Sequence, residues 1–446
     1  MKVSFAAVVL AVLLPDARAQ QVPGRSSDSD VYSSNAAIKQ AVEEPVVSTQ
    51  QNLRRRANAS NSNNANVVDI IVVLKDEGRR RKLAGIGQHT SAERKAAAEE
   101  NKAAASAAAT SMGAVARFAY GSALYGFAAS VPPGLFKQIV ADDRVEYVEE
   151  DGIVQIDPME MGEDRRRLAP PPGKGPNKDD GGGGDGPAPA PAQITPWGID
   201  RVNGAFNCVD NNCGKAWVLD SGIDLDHPDL NVDVDPENSV AFLKGKSTPN
   251  DEHGHGTHVA GTIAAIDNEI GVVGVAAGAT VVSVRVLDRQ GSGSYSGVIA
   301  GIDHVGANCG SSDVANMSLG GGFSQAINDA VKAASASCPF VLAAGNEGRD
   351  ASGSSPASVN GPNIYTVSAF SNGDNWAYFS NYGSVVDYAG PGVSILSTWK
   401  NGGYNSISGT SMAAPHIAGV RLVGNISTDG TVTGDPDGNP DPIGVC

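Results

Sequence analysis

The chain has 446 residues, a formal net charge of −16 and five cysteines. Between residues 188 and 446 it carries 10 Lys and Arg against 25 Asp and Glu, so the negative charge is concentrated in the C-terminal part. We therefore expect no nucleic acid among its partners, because nucleic-acid binding requires a basic surface. The length allows several domains and a large buried core.

The first 20 residues, "MKVSFAAVVLAVLLPDARAQ", have the pattern of a secretory signal peptide. A lysine precedes an apolar run of about a dozen residues, and "ARA" predicts cleavage after Ala19. No later segment approaches the roughly 20 apolar residues that span a membrane. The sequence therefore predicts a secreted, extracellular protein without a membrane partner.

The cysteines fit an oxidising compartment but are too few for a dense disulfide scaffold. Cys208 and Cys213 are close enough in the chain to bridge a loop, and Cys309 with Cys338 is the natural second pair. Cys446 is then left over, and the sequence alone leaves the connectivity open.

Residues 20–66 are rich in Ser, Asn, Gln and Ala, a composition that predicts a disordered lead. The next segment alternates strand and helix patterns, and Thr90 followed by Glu93 resembles a capping box at a helix start. The predicted elements are a strand at 67–76, a helix from Thr90 to about Met112, two short strands around Gly121, a helix at 133–143 and a strand at 145–154. This β-α-β-β-α-β order predicts a small α+β ferredoxin-like domain.

A Pro- and Gly-rich segment, residues 157–192, follows this domain and is predicted to be a linker. Arg165, Arg166 and Arg167 lie within it. They are either an accessible place for proteolytic cutting or a solvated charge run, and the sequence leaves both interpretations open.

From Gln193 onward, short Val-rich apolar runs alternate with helical patterns. Runs such as "KAWVLD", "TVVSVRVLD" and "PFVLAAGN" are typical of buried strands, and "HVAGTIAAI" and "SGVIAGIDHVGAN" are typical of helices between them. The alternation predicts an α/β domain over 193–446, a parallel sheet with helices on both faces. Ligands of such sheets bind at the C-terminal ends of the strands.

Three short runs in this domain contain the residue types of a nucleophilic hydrolase. Asp220 ends the strand "KAWVLD", His255 lies in "HGHGTHVAG", and Ser411 lies on a turn that leads into a helix in "SGTSMAAPHIAG". A nucleophilic serine needs an exposed turn, a helix start whose amides face developing negative charge, and small neighbours. Asp before His before Ser is one of the chain orders found in unrelated serine hydrolases.

The runs "LDSGID", "HGHGTHVAG" and "GTSMAAPH" resemble the three active-site blocks of subtilisin-like serine proteases, the subtilases. "VLDRQGSGSYSGVIAGID", "MSLGGG" and "AAGNEG" are similar to the proteinase K-like branch. The resemblance covers about residues 193–421 and implies a subtilisin-like fold with serine endopeptidase activity. Residues 67–156 resemble the inhibitory, chaperone-like propeptide of the family, which implies a zymogen that cleaves itself between about Ile153 and Ile194.

The resemblance assigns Ser411 as the nucleophile, His255 as general base and then acid, and Asp220 as the carboxylate that orients the imidazole. Asn346, with the backbone N–H of Ser411, matches the donors that stabilise the tetrahedral oxyanion. An imidazole that titrates near neutral pH can take the serine proton and return it to the leaving amine.

The resemblance also implies that a protein or peptide substrate binds as an added strand between two Gly-rich edges. The expected subsite residues are Ser292, Gly293 and Ser294 on one edge, Ser318, Leu319 and Gly320 on the other, and Ala343, Ala344 and Gly345 around the pocket for the residue before the cut bond. Because these side chains are small, we expect broad specificity with an apolar preference. The protein's own propeptide is the second expected partner, and the enzyme itself is expected to be a monomer.

Asp387, with the carbonyl groups of Pro362 and Ile364, matches a calcium site of the family, and calcium is the expected cofactor. Asp387 could instead cap a turn. Family members continue after the serine with a long helix and further elements, whereas this chain passes into an acidic, turn-rich tail. We expect the domain to fold with this short C-terminus and the helix after Ser411 to form.

Two other classes of function compete with the protease. His253, His255 and His258 form an H-x-H-x-x-H run similar to metal-dependent hydrolases, but Thr257 stands where an acidic residue is expected before the last histidine. The other alternative is a catalytically inactive binding homologue, which is disfavoured because every catalytic position is occupied.

Overall fold

The computed structural model describes residues 67–76, 90–156, 191–211, 213–245 and 247–446. All of them belong to one unit of the chain, Thr49–Cys446. The predicted signal peptide, the lead and almost all of the predicted linker lie outside the described residues.

The first described region contains the predicted strands and helices. These are β1 (Val68–Leu74), α1 (Ser91–Ser111), β2 (Phe118–Tyr120), β3 (Gly126–Val131), α2 (Pro133–Val140) and β4 (Val145–Glu150). The sheet order is β2-β3-β1-β4, and all neighbouring strands are antiparallel. The capping box at α1 is present, since Thr90 Oγ1 accepts from Glu93 N and Glu93 Oε2 accepts from Thr90 N. We call residues 67–156 the small domain.

The predicted last strand of the small domain is in fact two strands. After β4 the chain leaves the sheet at Asp151 and Gly152, and β5 (Ile153–Gln155) pairs elsewhere. A Cβ atom at Gly152 would lie 2.5 Å from the ring of Tyr295, so only glycine fits this close passage.

The region from residue 191 onward, the large domain, contains the remaining elements. Its helices are α3 (Trp197–Arg201), α4 (Cys208–Asn211), α5 (His255–Ala264), α6 (Tyr295–Asn308), α7 (Gln325–Ala334) and α8 (Thr410–Val423). Its strands are β6 (Ala216–Asp220), β7 (Asn231–Asp233), β8 (Val240–Ala241), β9 (Thr280–Arg285), β10 (Ser292–Ser294), β11 (Val314–Met317), β12 (Gly320–Gly322), β13 (Phe340–Ala343), β14 (Ser354–Ser355), β15 (Ile364–Ser371), β16 (Asn375–Trp376), β17 (Tyr388–Pro391), β18 (Ile395–Trp399), β19 (Gly403–Ile407), β20 (Ser427–Thr431) and β21 (Pro442–Val445).

The large sheet is parallel over most of its width, in the order β21-β17-β15-β13-β11-β6-β9-β7, with β20 as an antiparallel edge. Alternate residues of β6 point to opposite faces, as the period of a strand requires. Trp217 and Leu219 share a core with α6 and α7, whereas Ala216 and Val218 share one with α5 and α8. The predicted parallel sheet with helices on both faces is confirmed.

A second, smaller sheet joins the two domains in the order β10-β5-β12-β14. β5 lies in its middle, antiparallel to both β10 and β12. The small domain therefore sends one strand into the large one.

The acidic tail completes one edge of the large sheet. β21 runs parallel to β17, and β20 folds back on β21. The helix expected after Ser411 forms as α8. Both expected disulfides, Cys208–Cys213 and Cys309–Cys338, are present. Within the described ranges, no helix has the length and apolar character needed to cross a bilayer.

Candidate active site

The sheet places Asp220 at the C-terminal end of β6 and His255 at the start of α5. His255 Nδ1 lies 2.8 Å from Asp220 Oδ1 and 2.9 Å from Oδ2. Neither side chain has any exposed surface, so the pair is shielded from water. A carboxylate at this nitrogen fixes the ring's orientation and leaves Nε2 to act on a third group.

Ser411 is the second residue of α8 and is 7% exposed. Its Oγ donates to Ser318 O at 3.2 Å, and Ser318 Oγ donates to Ser411 O at 2.8 Å. His255 Nε2 has no hydrogen-bond partner among the described residues. The hydrogen bond from Ser411 Oγ to His255 Nε2 is therefore not formed in this structure.

The turn before α8 brings two hydrogen-bond donors to one space. Asn346 Oδ1 accepts from Thr410 N at 2.8 Å, which fixes the amide group. A Cβ atom at Gly409 would lie 3.5 Å from Asn346 Nδ2 and 3.7 Å from Ser411 N, so both donors border the same point. The φ of Gly409 is 151°, a conformation that favours glycine and keeps this space open.

A pocket lies beside Ser411 and contains several of the predicted subsite residues. Leu319, Gly320, Ala343, Ala344 and Gly345 line it. The other predicted edge, Ser292 to Ser294, is β10, which pairs with β5. Ser318 binds Ser411 instead of lining the pocket.

Glu347 also lines the pocket, and sequence reasoning missed it. Asn381 Nδ2 donates to Glu347 Oε2 at 2.6 Å, and Arg349 lies 3.7 Å from the other oxygen. Its position directly after Asn346 in "AAGNEG" was the only available signal.

Asp251 is a second residue that the sequence did not reveal. Its carboxylate is 5% exposed and accepts hydrogen bonds from Ser221 Oγ, from the N–H groups of His253, Gly254 and Thr257, and from Thr257 Oγ1. It therefore holds the turn that starts α5 and positions His255.

The other two histidines of the H-x-H-x-x-H run have different surroundings. His258 is buried, and its Nε2 contacts the carbonyl groups of Ile395 and Asn405 at 2.9 and 3.1 Å. Burial lowers its pKa to about 3, so it stays neutral. The pKa of His253 is lowered by burial and then by the nearby His255. His255 pairs with Asp220 and His258 with two carbonyl groups, and no group of three His, Cys, Asp or Glu side chains suited to a metal occurs in the described ranges.

The predicted calcium residues lie around the N-terminal ends of the parallel strands β15 and β17, whereas Asp220 lies at the C-terminal end of β6. Asp387 Oδ2 accepts from Thr366 N at 2.9 Å, and burial raises the pKa of this carboxyl group. No ion pair to Asp387 occurs within the described part of the chain. Ile364 begins the neighbouring strand β15, with Pro362 two residues before it.

The geometry defines a class of protein, a serine hydrolase on a parallel α/β sheet with the chain order Asp, His, Ser. The profile of the subtilase family matches residues 217–423. Cuticle-degrading protease of Metarhizium anisopliae is 37% identical over 323 residues, which are 68% of this chain and 72% of that protein. The chain therefore belongs to the subtilase family of serine-type endopeptidases, as predicted.

Two further serine proteases are similar to this chain in sequence. Alkaline serine exoprotease A of Vibrio alginolyticus is 39% identical over 310 residues, 67% of this chain, and the chain spans only 51% of that protein's length. A solved structure of a cold-adapted subtilisin-like serine proteinase is 41% identical, with 51% of this chain and 83% of that chain covered and a TM-score of 0.46.

Proposed function

We propose that this protein is a secreted serine endopeptidase made as an inhibited precursor. The observation that carries the proposal is the buried pair of Asp220 and His255, with the helix of His255 packed against the helix of Ser411 and β5 lying between β10 and β12. A peptide substrate of such a site binds by adding a strand to an exposed sheet edge. β5 pairs with its neighbours in the way expected of such a peptide.

The reaction follows from the positions of the polar groups. Ser411 Oγ attacks the carbonyl carbon of the bound peptide while His255 Nε2 takes its proton, and Asp220 stabilises the imidazolium. Asn346 Nδ2 and Ser411 N donate to the oxyanion. The C–N bond then breaks, His255 gives its proton to the leaving nitrogen, and water releases the acyl group by the same steps.

The pocket beside Ser411 favours small or apolar side chains in the residue before the cut bond. Ala343 and Ala344 form apolar walls, and Glu347 adds a negative charge at the lining. The protein should therefore cleave many protein sequences but disfavour acidic residues at this position.

Contacts of the small domain support its role as the inhibitor. Asp303 of α6 accepts backbone hydrogen bonds from Gly121, Ser122 and Ala123 at 2.7 to 3.0 Å. Asp151 accepts from Ser296 N at the start of α6, and Glu149 accepts from Ala326 N at the start of α7. Carboxylates at helix N-termini are favourable, so both helices are well suited to dock this domain.

The residues at the predicted calcium site suit a hard cation. Asp441 is buried and Asp387 is half-buried, and the charge of Asp387 adds to the effect of burial in raising the pKa of Asp441. A calcium ion held by Asp387 and the carbonyl groups of Pro362 and Ile364 would relieve this repulsion and stabilise the fold.

Peptide hydrolysis with selective inhibitors tests the proposal. A serine-reactive agent should abolish activity of the secreted protein. A chelator should lower stability, with rescue by calcium and not by zinc. Activity that resists the serine reagent and returns with zinc would favour the metal-dependent alternative. N-terminal sequencing of the secreted protein tests the precursor, since a mature N-terminus upstream of Val67 would contradict it.

A further inference from the structure

Arg285 is a buried cation at the end of the sheet where the active site lies. It is the last residue of β9 and pairs with Asp220, the last residue of β6. Its side chain is only 3% exposed. Burying a guanidinium group is unfavourable unless its N–H donors find acceptors. The groups that Arg285 binds are therefore held firmly in place.

The first set of these groups belongs to the segment that leads into α5. Arg285 Nη1 donates to Asn250 O at 2.7 Å and to Thr248 O at 3.2 Å. Arg285 Nη2 donates to Glu252 Oε2 at 2.7 Å. Asn250 and Glu252 are the two neighbours of Asp251 in the chain. Arg285 therefore fixes the chain on both sides of the carboxylate that holds the start of α5.

The remaining group belongs to the segment that leads to the predicted substrate edge β10. Arg285 Nε donates to Leu287 O at 3.2 Å, and Leu287 N donates to Asp220 O at 3.1 Å. One residue further on, Asp288 N donates to Ser292 O of β10 at 2.9 Å. A single guanidinium group thus connects the segment before α5 with the segment before β10.

We propose that Arg285 is a positioning residue for catalysis, which holds the turn before His255 and the substrate edge β10 in a fixed relation to each other. The inference rests on the proposed function, because it concerns the same general base and the same substrate edge. Arg285 acts on His255 through Asp251, whose carboxylate accepts from three backbone N–H groups around the start of α5.

An arginine suits this position better than a lysine. The planar guanidinium group presents its donors in several fixed directions, whereas the ammonium group of a lysine is a compact point charge on a flexible stem. The three carbonyl groups belong to two separate segments, at Thr248 and Asn250 and at Leu287. A lysine would pair with Glu252 but would not hold all three carbonyl groups at once.

Kinetics of the secreted enzyme and three variants test the proposal. Arg285→Met removes the charge and the donors, and Arg285→Lys keeps the charge without the planar group. Arg289→Met is the matched control, because Arg289 is exposed. We expect Arg285→Met to lower kcat by about 10- to 100-fold, because a small displacement of a catalytic group is costly. Arg285→Lys should recover only part of this loss, and the control should keep the kcat of the wild type.

Two substrates distinguish positioning from a purely structural role. A short ester that does not reach β10 depends on His255 and not on the edge, whereas a longer peptide uses both. The kcat of Arg285→Met should fall for both substrates, and its KM should rise only for the longer peptide. An unchanged kcat with a lowered Tm would overturn the proposal, because Arg285 would then only stabilise the fold.

Combining Arg285→Met with Asp251→Ala tests the route through Asp251. If both residues hold the same turn, kcat of the double variant should lie within about 2-fold of that of the weaker single variant. Losses that multiply would overturn this route. If Arg285→Met is not recovered folded, Arg285→Lys replaces it in the comparison. A wild-type enzyme that hydrolyses neither substrate would contradict the proposed function itself, and this inference would fail with it.

Discussion

The two main sheets of the chain differ in how their faces are covered. The large sheet has its own helices on both sides. The small sheet buries Ile70, Val72 and Phe127 against its own helices, but Ile71 and Val73 on its other face belong to the core formed with α6 and α7. The small domain thus depends on the large one for its second layer, and the reverse does not hold.

This asymmetry suits the proposed role of the small domain as an inhibitor that is later removed. Apolar side chains such as Ile71, Val73 and Ala128 become exposed when the small domain leaves, which costs hydrophobic free energy and favours its unfolding and degradation. The active site, by contrast, is built entirely from the large domain.

The largest expected effect is a loss of catalysis in the large domain that leaves the small domain unchanged. Ser411→Ala should lower turnover by about 10⁶, the size known for the equivalent change in a subtilisin, while the contacts of the small domain stay intact. Peptide hydrolysis measures the turnover, and the intact mass of the secreted chain shows whether the small domain is retained. Normal turnover in this variant would contradict the assignment of the nucleophile.

Asn346→Ala should act on the large domain alone and less strongly. Losing one oxyanion donor costs about 10²–10³ in kcat, a value also known from a subtilisin, with little change in KM. Asn360→Ala is the matched control, because Asn360 is exposed. An equal loss in both variants would point to damaged folding instead of lost oxyanion stabilisation.

Asp303→Ala should weaken the contact between the two domains and leave catalysis unchanged. It leaves three backbone N–H groups of the small domain without this acceptor and removes one of the two partners of Lys102. With the linker cut, the inhibition constant should rise by about 10- to 100-fold. The kcat of the freed enzyme should not change, and Asp303→Asn, which keeps an oxygen acceptor, should lose less. A fall in kcat would show that α6 supports the active site itself.

Asp441→Asn should have the smallest effect, confined to the stability of the large domain. Burial first, and the charges of Asp435, Asp437 and Asp387 after it, raise the pKa of Asp441 from 3.8 to about 7. Because the folded pKa lies above the unfolded one, this group's contribution is most favourable below pH 4 and is lost as pH rises through about 7. In chelator, the variant should therefore have a Tm about 2–4 °C above wild type at pH 8 and nearly equal at pH 4. A lower Tm at pH 8 would contradict the unfavourable ionisation of Asp441.

Much of the fold was predictable because its signals are local. The Val-rich runs, the capping box at Thr90 and both disulfides were found where they were expected. The break between β4 and β5 was missed, although the polar run from Glu149 to Asp151 followed by Gly152 is a turn signal in the sequence. The close passage of Gly152 beside Tyr295 joins residues far apart in the chain and could not be read from the sequence.

The active site was predictable only in part. Asp220, His255 and Ser411 lie in long motifs that can be recognised one at a time. Asp251 holds its own turn mainly through the nearby residues His253, Gly254 and Thr257, a local signal that the motif contained and that was missed. Glu347 is held by Asn381, 34 residues further along the chain, and no spacing rule connects these two. The roles of the subsite and calcium residues stay predictions.

The disulfide Cys309–Cys338 has a consequence for how the proposed inhibition by the small domain would end. It ties the chain just after α6 to the chain just after α7, the two helices on which the small domain docks. Their spacing is then held covalently whether the small domain is present or not. When the small domain dissociates, the surface of α6 and α7 keeps its shape. The small domain can therefore rebind without any rearrangement of these helices. Inhibition should end through dilution or destruction of the small domain, and not through remodelling of the enzyme.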